Sequence, residues 1–317
     1  MTATAVERPP AGEERVGTAA GVAAYTLWGL FPLVFRELDD VAAGEILLHR
    51  VVWSFVVVMV ILALRRDRGW LARVRATEHG LRHLTAAAVL IATNWLVYIW
   101  AVNSGHVVEA ALGYYINPLI TVALGVFVLG EHLRHAQRVA LGFGAASVVV
   151  LTIAYGRVPW IALVLACSFA GYGFLKKAVP VDAPTSLAVE TLVLLLPALV
   201  AMGLLAASGD AAFLHGPAPR DLLLVSLGLV TATPLLLFAT AARRIPLSLL
   251  GLLQYLTPTM QLLCGVLVFR EPMPATRVAG FTLVWIALAV LGFDGVRSLR
   301  TARAEEHTAG LPAPEPA

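Results

Sequence analysis

The sequence predicts an all-α membrane protein of ten transmembrane helices, arranged as two inverted five-helix repeats with both ends of the chain in the cytoplasm. Three observations carry this: an apolar composition, an alternation of basic segments, and a motif that recurs at a fixed offset. Of the 317 residues, 59% are hydrophobic and 14% charged, against roughly 45–50% and 25% in a soluble domain. The mean hydropathy of +0.82 belongs to a chain mostly in lipid, which excludes a soluble enzyme, a disulfide scaffold and a disordered protein. The formal charge of +3 and a pI near 9.1 reflect spatially sorted basic loops, and no nucleic-acid partner is read from them.

Apolar runs separated by charged or Pro/Gly punctuation fall at 16–35, 45–64, 83–103, 107–129 and 136–155, then at 158–176, 185–207, 221–242, 246–269 and 274–295. About 20 helical residues cross about 30 Å of hydrocarbon, so ten spans fit this length. Continuous runs without period-two alternation choose helices over a closed barrel. The first run is too long for a signal h-region and lacks a convincing cleavage site, so it reads as a retained span. The expected organisation is a disordered tail at 1–15, a first repeat at 16–155, a second at 158–295 and a disordered tail at 296–317.

Orientation follows from Lys and Arg. With the N-terminus inside, the inner segments hold 17 of the 23 basic residues and the outer segments 5. The six arginines between Arg65 and Arg82 dominate the inner set, and Arg50 lies within a span. That asymmetry places both termini in the cytoplasm and requires an even number of spans.

The segment Asn117–Glu131, NPLITVALGVFVLGE, resembles Thr257–Glu271, TPTMQLLCGVLVFRE, at a constant offset of 140. Pro118, Gly125, Val126, Val128 and Glu131 recur as Pro258, Gly265, Val266, Val268 and Glu271. A weaker echo pairs Leu27 to Leu30 with Gly171 to Phe174. Five helices per copy is an odd number, so the second copy enters the membrane with opposite sense. Inverted repeats of this kind recur in secondary transporters, where two halves exchange shapes to alternate access.

Polar residues inside spans are the candidate site. A charge at the bilayer centre costs on the order of 3 kcal/mol, so it requires partners or water. His49 and Arg50 lie toward the outer end of the second span, and Glu190 toward the inner end of the seventh. At the same offset Arg50 maps onto Glu190, so the two are expected to guard opposite mouths of a cavity without touching; the alternative is that both snorkel or satisfy helix ends. Asn94 and Tyr98, four apart, share one face of the third span. Tyr114 and Asn117 precede Pro118 in the fourth, and Gln254 precedes Pro258 in its repeat mate. Proline frees a carbonyl one turn earlier and can open backbone polar groups to a cavity. Interhelical hydrogen bonding competes as a role for each of these residues.

Other features have plainer readings. Cys167 and Cys264 sit in apolar runs and read as packing residues. Gly17 and Gly21 form a small-residue motif for close helix approach. No cofactor is expected: no His and carboxylate cluster has metal spacing, no Walker loop is present, and the Arg65–Arg82 stretch is too short for an ATPase domain. Energy would come from a gradient or from the solute itself.

The segments TLWGLFPLVFREL (26–38), EILLHRVVWS (45–54), NWLVYIWAVNSGHVVEAALGYYINPL (94–119) and PLLLFATAARRIPLSLLGLLQYLTPTMQLL (234–263) resemble RarD-type permeases of the EamA group in the drug/metabolite transporter superfamily. The resemblance covers about residues 16–296. It implies two inverted EamA repeats, a bacterial cytoplasmic-membrane location, and export or exchange of small organic metabolites or drugs, with a link to chloramphenicol in the family's naming. Arg50, His49, Asn94, Tyr98, Tyr114, Asn117, Glu190 and Gln254 fall in the matching motifs. Two positions depart from the pattern: Thr257 stands where Asn is expected, and Arg270 where glycine usually precedes the glutamate. The expected activity is that of a secondary active permease for a small amphipathic or zwitterionic solute, not an enzyme. Its partners are that solute and the lipid bilayer, with proton coupling open through Glu190 or His49. The rival is a non-transporting membrane protein, either a structural partner or a lipid-handling enzyme.

Overall fold

Residues 11–130 and 132–309 are described by the computed structural model, and every regular element among them is helical. In chain order these are α1 Ala11–Gly29, α2 Phe31–Arg36, α3 Ala43–Leu64, α4 Trp70–Ala76, α5 Gly80–Asn103, α6 Val107–Leu129 and α7 His135–Tyr155. Then follow α8 Trp160–Lys177, α9 Ala183–Ser208, α10 Ala218–Ala242, α11 Leu247–Leu253, α12 Leu256–Leu263, a π-helical turn Cys264–Val268 and α13 Ala275–Ala309. Residues 1–10 and 310–317 of the expected tails, and Glu131 of the repeat motif, lie outside the described residues. The helices α1 and α13 extend at Ala11 and Ala309 into stretches that the sequence suggests as tail.

Among the described residues, nine helical segments are long and apolar enough to cross a membrane. The tenth expected span is the shorter apolar helix Trp160–Lys176, about 26 Å at 1.5 Å per residue. Trp160 and Lys176 stand at its two ends, where aromatic and long basic side chains reach an interface. Large apolar side chains face outward along the spans, among them Val60, Leu196, Leu204, Leu222 and Leu229. Lipid tolerates such a surface and water does not.

Two expected spans are interrupted, and the interruptions answer each other. Pro32 cannot donate to the Trp28 carbonyl four residues earlier, and the chain breaks between α1 and α2, with the Leu33 amide donating to Leu30. Gln261 on α12 donates through Nε2 to that freed Trp28 oxygen at 3.3 Å. Thr257 donates to the Tyr25 oxygen at 2.8 Å. Gln261 of α12 thus satisfies the backbone carbonyl that the irregular α1–α2 junction leaves open, as a non-aqueous setting demands, and Thr257 ties the same helix to the last turn of α1.

The chain forms two compact units, Met1–Thr121 with Pro159–Met273, and Val122–Val158 with Pro274–Ala317. In the first, the principal packing pairs are α5 with α8, α3 with α10, α3 with α9 and α1 with α10. Glycines permit the close crossings. A Cβ at Gly17 would meet Arg244 and Ile245, and one at Gly21 would lie 2.9 Å from Leu253, so this motif serves packing as the sequence indicates. A Cβ at Gly171 would lie 3.1 Å from Leu90, whereas one at Gly173 would meet open space. In the second unit α7 packs along α13; Ser147 donates to the Gly280 oxygen at 2.8 Å, and Arg134 pairs with Asp294 at 2.9 Å.

Gly130 (φ +67°) and Arg270 (φ +55°), 140 residues apart, are both left-handed. That backbone is free for glycine and costs other residues about 1 kcal/mol. The departure at position 270 is therefore a strained one. Arg270→Gly is expected to raise the melting temperature slightly, by an unfolding free energy of no more than about 0.5 kcal/mol once the extra unfolded-state freedom of glycine is set against that cost. A lower melting temperature would show that the arginine side chain contributes more than its backbone costs.

Candidate functional site: a buried cation in an aromatic cage

Arg50 lies about two turns into α3 and is only 4% exposed. Its guanidinium carbon is 4.0 Å from the Trp95 ring centre on α5, 5.4 Å from Phe31 and 5.6 Å from Phe35 on α2. The helical spacing of Phe31 and Phe35 turns both rings to the same side. Nε donates to Thr231 Oγ1 on α10 at 3.0 Å. No carboxylate among the described residues pairs with this cation. Desolvating it costs several kcal/mol. Against that stand about 2 kcal/mol for a desolvated cation–π contact and roughly 1.5 to 3 for a charged hydrogen bond.

Aromatic contacts extend the cage. Phe35 meets Tyr98 at 6.0 Å between ring centres, and Tyr98 meets Tyr114 at 5.7 Å. The Tyr98 hydroxyl is buried and has no hydrogen-bond partner among the described residues. Tyr114 donates to Asn94 Oδ1 at 3.0 Å, and the Asn94 amide donates to the Leu165 oxygen and to Ser168 Oγ, each at 3.0 Å. Asn94 therefore ties α5, α6 and α8 together. His49 is 1% exposed; its Nδ1 accepts from Trp53 at 3.2 Å, its ring lies 4.5 Å from Phe213, and its Nε2 is buried and unpartnered.

Of the residues singled out in the sequence, Arg50, Tyr98, Tyr114 and Asn94 form one chain of contacts, with His49 one residue away on α3. Asn117 has a buried Oδ1 with no partner among the described residues, while its backbone oxygen accepts from Thr121 at 3.0 Å. Gln254 is half-buried at the junction of α11 and α12. No hydrogen bond or ring contact among the described residues joins either of these two to the Arg50 group.

Glu190 lies elsewhere. It is 1% exposed on α9 and accepts from Ser186 at 2.6 Å and Tyr172 at 3.1 Å, with Lys176 Nζ at 3.2 Å. Around the same end of α3 and α9, Arg65 pairs with Asp182 at 3.4 Å, and Arg73 donates to Asp67 at 2.9 Å and to Thr185 at 3.1 Å. The hydrogen bond from Arg73 holds the Asp67 carboxyl below the usual carboxylate range. At the opposite end, Glu45 accepts from the Ala212 and Phe213 amides at 2.9 Å, and Arg220 reaches Asp40 at 2.7 Å. The same two helices meet at both ends, so α3 and α9 run antiparallel.

Several members of these clusters carry no motif. Thr231 is one of two threonines in an apolar run, and nothing in the sequence sets Phe31 and Phe35 apart from the other apolar residues around them. Three acids in or just before first turns, Glu45, Glu109 and Glu271, accept from backbone amides of distant segments: Glu109 from Ile161 at 3.2 Å, and Glu271 from Val107 and Val108 at 2.6 and 2.8 Å. Their acidity at helix starts was legible, but the segments they cap were not.

A helical bundle with lipid-compatible outer faces and a buried, uncompensated cation among aromatic rings defines a polytopic membrane protein with a polar interior, the class to which membrane permeases belong. Residues 15–153 match the EamA-like transporter family. The chain is 50% identical to Protein RarD of Streptomyces exfoliatus over 96% of its own length and 98% of that protein. It is 39% identical to Protein RarD of Escherichia coli (92% and 98%) and 43% identical to an uncharacterized transporter, PA0485, of Pseudomonas aeruginosa (90% and 96%). A crystal structure of a further protein superposes with a TM-score of 0.55 at 21% identity, over 86% of this chain and 96% of that one, a likeness of fold. The chain belongs to the RarD-type permeases of the EamA group, in the drug/metabolite transporter superfamily.

Proposed function

We propose that the protein is a secondary active permease that moves small organic solutes by alternating access between two inverted halves, with both termini cytoplasmic. The observation that carries this reading is the symmetry of helix packing. Exchanging each first-half helix for its counterpart (α1 for α8, α3 for α9, α5 for α10) converts the α1–α10 contact into α8–α5, and α3–α10 into α9–α5. The α3–α9 and α7–α13 contacts map onto themselves. All six contacts occur, and α3 and its counterpart run antiparallel, as an inverted pair must. In this reading the bonds of Glu45 and Arg220 close one mouth and those of Glu190, Arg65 and Arg73 close the other, and only one set is open at a time. Arg50 lies just inside the first mouth and Glu190 inside the second. The cytoplasmic placement of the termini rests on the 17-to-5 distribution of basic residues.

The test is solute counterflow. Metabolites that differ between cells with and without the gene are loaded into proteoliposomes containing the purified protein, and exchange of labelled solute is followed. At least one small organic solute is expected to exchange at a rate that saturates. Folded, correctly inserted protein with no flux for any of them would favour the rival reading, a non-transporting structural partner.

A further inference from the structure

We infer that Arg50 is the anchor for the anionic group of the transported solute, and that this solute is an organic carboxylate. The inference rests on the permease reading and names the substrate class for it. Arg50 is a cation with 4% exposure, and its one hydrogen bond among the described residues uses Nε. The two Nη nitrogens, with four of the five guanidinium donors, are left for another partner. They form the fork that matches a carboxylate in a two-point contact.

The buried acids at this end, and several exposed ones, are already engaged. Glu45, five residues earlier on α3, accepts from the Ala212 and Phe213 amides. Glu109 accepts from Ile161, Glu271 from Val107 and Val108, Asp221 from Leu214, and Asp40 pairs with Arg220. The rings of Trp95, Phe31 and Phe35 face the cation and can hold it, but they do not neutralise it. A second donor belongs to the same surroundings: the Tyr98 hydroxyl is buried with no partner among the described residues, on a ring that touches Phe35. A buried cation left without a counterion, beside an unsatisfied hydroxyl and walled by aromatic rings, is complementary to a small carboxylate with an apolar or aromatic body. A neutral or cationic solute would leave the charge uncompensated.

The experiment uses the full-length protein purified in detergent, with three matched pairs of probes: benzoate and benzamide, phenylacetate and phenylacetamide, indole-3-acetate and indole-3-acetamide. Binding is read from the rise in melting temperature with concentration. In the wild type at least one acid is expected to bind about tenfold more tightly than its amide. Arg50→Gln is expected to abolish that preference and, in the absence of probe, to melt no lower than the wild type, because the uncompensated charge leaves with the side chain. Arg50→Lys keeps the charge but not the fork and is expected to retain part of the preference. Tyr98→Phe is expected to weaken acid binding while leaving the probe-free melting temperature unchanged.

Equal stabilisation by acids and amides, no stabilisation by any acid, or an unchanged acid preference in Arg50→Gln would overturn the proposal. So would a marked fall in the probe-free melting temperature of Arg50→Gln, which would make Arg50 a structural cation. Saturable counterflow of neutral solutes without acid preference would keep the permease reading and remove this one. Acid preference in binding without any flux would remove the permease reading and this proposal with it, and leave Arg50 a carboxylate-binding group only.

Discussion

Gly228→Val is expected to leave little folded protein. A Cβ at this position on α10 would lie 2.5 Å from the carbonyl carbon of Trp53 on α3 and closer still to its oxygen. The obstacle is main chain, so rotamer changes cannot relieve it, and the α3–α10 pair, one of the principal contacts of the larger unit, must separate. Overpacking of a buried contact costs about 1 to 3 kcal/mol, and β-branching against a fixed backbone falls at the upper end. That is a large share of a typical stability of 5–15 kcal/mol. The yield of monodisperse protein and its melting temperature check this. Gly173→Val, at a site that faces open space, is the control expected to fold normally, and equal behaviour of the two variants would contradict the packing argument.

The second large effect is at Glu190. Alanine there removes the acceptor for Ser186 and Tyr172 and the counter-charge for Lys176 in one step. Breaking a buried pair costs about 3 to 5 kcal/mol. The Lys176 side chain is 27% exposed and can turn to water, so about 3 kcal/mol is expected. Glu190→Gln keeps an acceptor for Ser186 and is expected to recover more than half of the loss. If the carboxylate also closes one mouth of the pathway, Glu190→Gln should fold and still exchange solute, at an altered rate. Melting temperatures and counterflow rates of the two variants separate the roles. Wild-type stability in Glu190→Ala would mean that the cluster bears no weight.

Much of the architecture is legible because a bilayer constrains sequence locally. Each span must be apolar over its own length, and its backbone must satisfy itself as a helix, so the limits of α3, α5, α9 and α10 agree with the apolar runs to within a few residues. Breaks are harder to see. The interruption after Gly29 and the one at Gln254–Tyr255 fall inside continuous apolar stretches, because the carbonyl freed by Pro32 is answered by Gln261, more than 200 residues away. The same holds at the site. Arg50, Asn94 and Glu190 stand out as polar residues where polarity is costly, yet nothing along the chain indicates that Asn94 joins three helices, that Glu190 meets Lys176, or that Trp95 and Phe31 enclose Arg50.

The sequence by itself determined the helices, their approximate limits and the outlying charges, since hydropathy and hydrogen-bond satisfaction act over one turn or one span. Only the tertiary structure decided which polar group found a partner and which did not. Pairing depends on which helix faces lie together, and the energy of a buried charge is set by its neighbours within a few ångströms, whatever their distance along the chain. Arg50 and Glu190 lie 140 residues apart, the offset at which the Pro-to-Glu motif recurs, but the fold gives Glu190 a lysine and two hydroxyls and gives Arg50 aromatic rings and a single hydroxyl.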